Sequence, residues 1–130
     1  MARDGDRGSA TLELAVIAPA IFALFGLVVA AGRVETARAA AVAAAQDGVR
    51  AASLARLPAL ARVDGHSAAG ADLAGNGCRS WSVSIEGQLQ PGGLLTARVS
   101  CTAGLGVLPG SFTTSARASA AVDPYRGVGR

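Results

Sequence analysis

The stretch that decides the fold is Gly8 to Arg33, GSATLELAVIAPAIFALFGLVVAAGR. A charged head ends at a glycine, and a single carboxylate, Glu13, follows five residues later. From Leu14 to Gly32 there is no charged side chain, and the run closes on Arg33. Nineteen such residues at a helical rise of about 1.5 Å reach ~28 Å, the thickness of a bilayer's hydrocarbon core. Residues 14–32 are therefore expected to form a transmembrane helix with an acid at its mouth. Pro19 falls early in the run, where it removes one backbone hydrogen bond and kinks the helix, which membrane helices tolerate.

Outward from this segment the chain offers little material for a core. Of 130 residues, aromatics make up 4%, so what lies outside the membrane is one small domain built from small side chains. All twelve basic residues are arginines, spread singly among acids. They form no stripe for a phosphate backbone, and nucleic acid is not expected as a partner despite the basic pI. Cys78 and Cys101 lack CxxC spacing, and His66 is the one histidine. A metal site would be short of ligands, whereas a disulfide suits the oxidising compartment that a membrane segment implies. Such a bridge contributes roughly 3 kcal/mol. No Gly-rich phosphate loop, no GxSxG and no motif-placed acid pair occurs, so neither an enzyme nor a cofactor is expected.

A secretory signal peptide is the competing reading of the first segment, with Arg3 and Arg7 as its charged region and cleavage after Ala30 or Ala31. Against it stand the length of the apolar run and the acid at Glu13.

The residues quoted above resemble a specific signal. Gly8, four residues, Glu13 and an apolar helix containing proline are similar to the processing site of type IV prepilins, in the variant of the Tad (Flp) system. The fuller string from Arg7 to about Arg38 resembles the TadE-like family of minor pilins, or pseudopilins. That resemblance implies a leader over residues 1–8 and cleavage between Gly8 and Ser9 by a membrane-embedded prepilin peptidase. It also implies other Tad pilins and inner-membrane platform proteins as partners. The fold implied is pilin-like α+β, a long N-terminal helix packed on a small antiparallel sheet, with the C-terminal domain outside the cytoplasmic membrane. Charge counts across the helix leave the orientation open. Flp major pilins carry an aromatic after the glutamate; Leu14 there points to a minor subunit. With Ser9 as the new N-terminus, Glu13 lies one helical turn from the free amine, where an acid complements the helix dipole. A carboxylate at the edge of hydrocarbon seeks a positive partner, which in pilins is a neighbour's N-terminal amine. The plainer alternative is a solvated head-group residue.

Beyond Arg33 the Ala-rich sequence continues the helix, giving one long element over residues 9–60 that Pro58 brings to an end. On a helical wheel Glu35, Arg38, Gln46, Arg50, Ser53 and Arg56 share one side. Ala37, Ala41, Ala44, Gly48, Ala51 and Ala55 form an opposite seam of small residues suited to close backbone approach. Residues 61–77, rich in Gly, Ala and Asp, are expected to be a loop. Residues 78–130 form the disulfide-stapled β region. Trp81, Val83 and Ile85 alternate with serines; Leu95, Ala97, Val99 and Cys101 alternate with polar residues; Phe112 to Val122 makes a third strand. Matching apolar faces sets Val83 opposite Ala97, Ile85 opposite Leu95 and Trp81 opposite Val99. Cys78 is then out of phase with Cys101, so the bridge requires Cys78 in the preceding loop. Trp81 is expected to plug the core.

Overall fold

A computed structural model describes the backbone of residues 6–125 and the side chains of residues 10–125. Most of the expected leader, residues 1–5, and the tail beyond Tyr125 lie outside the described residues.

Among the described residues the architecture is α+β: one long helix, a second shorter one, and a three-stranded antiparallel meander in the order β1-β2-β3. Helix α1 spans Asp6–Leu54 and runs through Pro19 without interruption. Helix α2 spans Pro58–Gly75. The strands are β1 (Ser80–Gly87), β2 (Leu94–Gly104) and β3 (Ser111–Ala121).

Two boundaries differ from the sequence expectation. The long helix stops at Leu54, not near residue 60, and the stretch expected to be a loop over 61–77 is mostly helical. Pro58 explains both. Its ring disfavours helix in the residue before it, and Leu57 is extended there (φ −121°, ψ 140°). The same ring is pre-organised for the first turn of the next helix. Glycines at 65, 70 and 75 cost propensity of up to about 1 kcal/mol each, but the buried stripe Ala61, Gly65, Ala69 and Leu73 offsets this by packing on α1.

The outer half of α1 is the spine of the head. Ala37, Ala41, Ala44, Gly48 and Ala55 are buried, as the seam predicts, while Ala51 is only half-buried. The buried face is wider than one seam, taking in Ala40, Ala45, Val49 and Ala52, because the sheet covers one flank and α2 the other. Polar Glu35, Arg38, Gln46, Arg50 and Arg56 stay exposed. The inward face of β2 (Leu95, Ala97, Val99, Cys101, Ala103) lies against this spine. On the outer face hydroxyls pair across strands: Ser82 with Ser100 at 2.7 Å, Thr96 with Ser119 and Thr102 with Thr113 at 2.9 Å.

The register of β1 on β2 is displaced by two residues from expectation: Val83 faces Val99, Ile85 faces Ala97, and Trp81 faces Cys101. A two-residue slip keeps every side chain on its face. Its cause lies in the Pro91-Gly92-Gly93 turn. Gly92 N–H donates to the Val122 carbonyl (3.1 Å) and Val122 N–H to the Gly93 carbonyl (2.8 Å). Those glycines are thereby committed to the β3 side. Trp81 does not plug the core. It is 44% exposed on the edge strand, beside Gly70 of α2, and the place opposite it is taken by the disulfide.

Candidate membrane anchor and assembly face

The inner half of α1 has the chemistry of a lipid-facing element. Within the helical segment Ala10–Leu54, the most apolar 18-residue window has mean hydropathy 2.6 and is 11% buried. Leu14, Val16, Phe22, Leu24, Phe25, Leu27 and Val28 are all more than half exposed. In water this surface would be a severe liability, since contiguous exposed apolar patches of this extent mark contact with membrane or partner. One apolar helix of this kind fits a single-pass membrane anchor.

The residues singled out from sequence divide into two groups. Gly8, Ser9, Glu13 and Pro19 all lie on the first turns of α1; Glu13 is exposed, and the side chain of Ser9 is outside the described residues. Cys78 and Cys101 lie in the head, bonded to each other with Cα atoms 5.5 Å apart. As the phase argument requires, Cys78 precedes β1. Its N–H donates to the Leu73 carbonyl at 3.3 Å, and Arg79 N–H donates to the Thr102 carbonyl at 2.8 Å. The bridge therefore ties the end of α2 to the central strand.

Helices α1 and α2 meet backbone to backbone where two glycines face each other. A β-carbon on Gly65 would sit 2.9 Å from the Gly48 carbonyl oxygen, and one on Gly48 would sit 3.0 Å from Ala69 Cβ. The small-residue seam thus serves the protein's own fold along this length. At the end remote from the apolar run, a cleft of about 460 Å³ opens between the start of α2 and the β1–β2 loop, lined by Arg62, Ile85, Gln88, Leu89 and Leu95 among others.

Sequence reading missed the acid pair between the helices. Asp72 of α2 is half-buried, and its Oδ2 is shielded from solvent with no hydrogen-bond donor among the described residues. Burial first, then the hydrogen-bonding and charge influence of the neighbouring Asp47, push the Asp72 carboxyl above its ordinary 3.8. A raised carboxyl keeps its proton longer in the folded chain than in the unfolded one. Its contribution is complete below about 3.8 and is lost as pH rises through the elevated value. Asp72→Asn, which keeps a donor at all pH and cannot ionise, is expected to raise the melting temperature at neutral pH. It should also flatten the pH dependence between mildly acidic and neutral buffers, measured by thermal melts in detergent; a steeper dependence in the variant would contradict the assignment.

A long helix with a naked apolar end and a small α+β head defines a pilin-like class of protein. Within that class, the model of the TadE-like protein family matches residues 8–50, the length of α1 from the glycine to near its end. The match suggests a protein associated with the Tad pilus system. No curated protein and no solved structure matches the chain.

Proposed function

We propose that this protein is a minor pilin, or pseudopilin, of a Tad (Flp) type IV pilus system. A prepilin peptidase cuts it between Gly8 and Ser9, α1 holds it in the cytoplasmic membrane with the head outside, and it takes part in pilus assembly with other Tad pilins and platform proteins. The observation that carries this reading is that the family match opens on Gly8 and runs along a helix whose bulky apolar residues face outward. The chemistry is then performed on the chain and not by it. Glu13 supplies a registration charge for a neighbour's amine. Continuity of α1 through residues 30 and 31, with Ala30 buried under the head at 6% exposure, favours a helix that stays attached over a signal peptide cut there.

The mature mass in the native host tests it. A chain starting at Ser9 is expected, and Gly8→Ala should abolish that cut, leaving essentially only full-length precursor, while Glu13→Ala is still cleaved but not assembled. Normal maturation of the Gly8→Ala chain, or a start near Ala31, would overturn the reading.

A further inference from the structure

The β2–β3 connection, Leu105 to Gly110 (LGVLPG), is apolar at its tip, and no charged residue occurs between Arg98 and Arg117. Val107 is 76% exposed and Leu108 38%, an unusual pair of side chains to offer to water at the end of a hairpin. The tip reaches down beside the anchor helix. Val107 Cγ2 lies 3.7 Å and Leu108 Cδ2 3.9 Å from where a β-carbon on Gly26 would sit. Gly26 and Ala30 are buried, whereas Leu24, Phe25, Leu27 and Val28 around them are exposed. Arg33 lies directly over the tip's neck, its Nε 2.8 Å from the β-carbon position of Gly106.

Depth decides what surrounds this tip. Gly26 lies seven residues before Arg33, or about 10 Å along the helix axis. If the bilayer ended below the tip, at Phe25, the uncharged span from Leu14 would be only twelve residues, ~18 Å against a hydrocarbon core of ~30 Å. If the bilayer covers the whole run to Gly32, it also covers Val107 and Leu108. Burial of apolar groups some 5–10 Å into the headgroup–acyl boundary is what interfacial elements achieve, and an arginine just above can keep its charge at the headgroups.

We propose that the β2–β3 tip is a second membrane contact, in which Val107 and Leu108 insert among the acyl chains of the leaflet on the head's side, next to α1. The occupant of this apolar surface is lipid, because the surface is continuous with the lipid-facing surface of the helix it touches. Two insertion points make the head sit low and in one orientation on the membrane. The proposal rests on the reading of α1 as a membrane anchor.

The test uses the full chain with its disulfide intact, reconstituted in phosphatidylcholine vesicles whose acyl chains carry bromine as quencher. An environment-sensitive fluorophore is attached in turn to Val107→Cys, Leu24→Cys and Ser84→Cys, the last on the outer face of the sheet. Leu108→Cys repeats the reading from the adjacent side chain. Expected is a blue-shifted emission at 24, 107 and 108, with an intensity loss at 107 of the same order as at 24 and several-fold that at 84. Quenching at 24 with a water-like signal at 107 and 108 would overturn the proposal and leave the anchor standing. So would a blue shift at 107 without quenching, which would mean that protein covers the tip. No quenching at 24 would overturn the anchor reading itself, and the proposal with it.

Discussion

Removing the disulfide, as Cys78→Ala with Cys101→Ala, is expected to lower the melting temperature of the full chain in detergent by on the order of 15 °C. The bridge closes a loop of sequence separation 23, for which loss of the unfolded-state constraint is worth about 3 kcal/mol. For a head of this size each kcal/mol shifts the midpoint by roughly 4–8 °C. Two features keep the effect from falling below that estimate. Cys101 is fully buried and Cys78 nearly so, packed with Ala37, Ala41, Ala44 and Leu73, so alanine leaves a void among side chains too small to close over it. The core it braces is also sparse: the largest fully buried side chains are Leu73, Val122 and Cys101 itself. Alanine, not serine, is the fair replacement, because a hydroxyl there would add an unsatisfied buried group. Reduced wild-type protein, which lacks the bridge but keeps both side chains, should melt well below the oxidised form and somewhat above the double variant. A shift of only a degree or two would mean that the helices and sheet hold without the staple.

The parts of this fold legible in the sequence are those governed by periodicity. The apolar run of α1, the small seam from Ala37 to Ala55 and the period-two faces of β2 and β3 are simple repeats, and each lies where its repeat puts it except at Ala51, which is half-buried. The cysteine phase was legible for the same reason. What escaped depends on partners distant in the chain. Residues 61–75 look like a loop because three glycines carry low helix propensity, and only α1 across from them turns Gly65 into an asset. The β1–β2 register shifted because Gly92 and Gly93 bond to Val122, some thirty residues away. Trp81 is exposed because its strand is the edge of the sheet, with the disulfide-bonded Cys101 as its cross-strand neighbour. The tip at Val107 had a visible signal, the uncharged stretch between Arg98 and Arg117, but its depth follows only from contact with Gly26. The Asp47–Asp72 pair had no sequence signal at all.

Two glycines of α2, five residues apart, should respond to alanine with opposite signs. Gly70 has free space: its nearest foreign atom to a new β-carbon is Trp81 Nε1 at 3.7 Å, ordinary contact. Alanine there gains helix propensity, and Gly70→Ala should stabilise the head by roughly 0.5–1 kcal/mol. Gly65 gains the same propensity but meets the Gly48 carbonyl oxygen at 2.9 Å, Ala52 Cβ at 3.1 Å and Ile85 Cδ1 at 3.1 Å. Ile85 can turn aside; the backbone oxygen of α1 cannot. Overpacking of this kind costs about 1–3 kcal/mol, enough to exceed the propensity gain, so Gly65→Ala should destabilise by roughly 1 kcal/mol net. Gly65→Leu forces the helices apart along the whole seam and should cost about 3 kcal/mol or more, read as a melting shift comparable to loss of the disulfide. Because the two sites share a helix, a residue type and a substitution, any general effect of alanine on α2 would move both the same way. Stabilisation at Gly65 would show that α1 and α2 are not in backbone contact and that the Ala–Gly seam does not serve internal packing there.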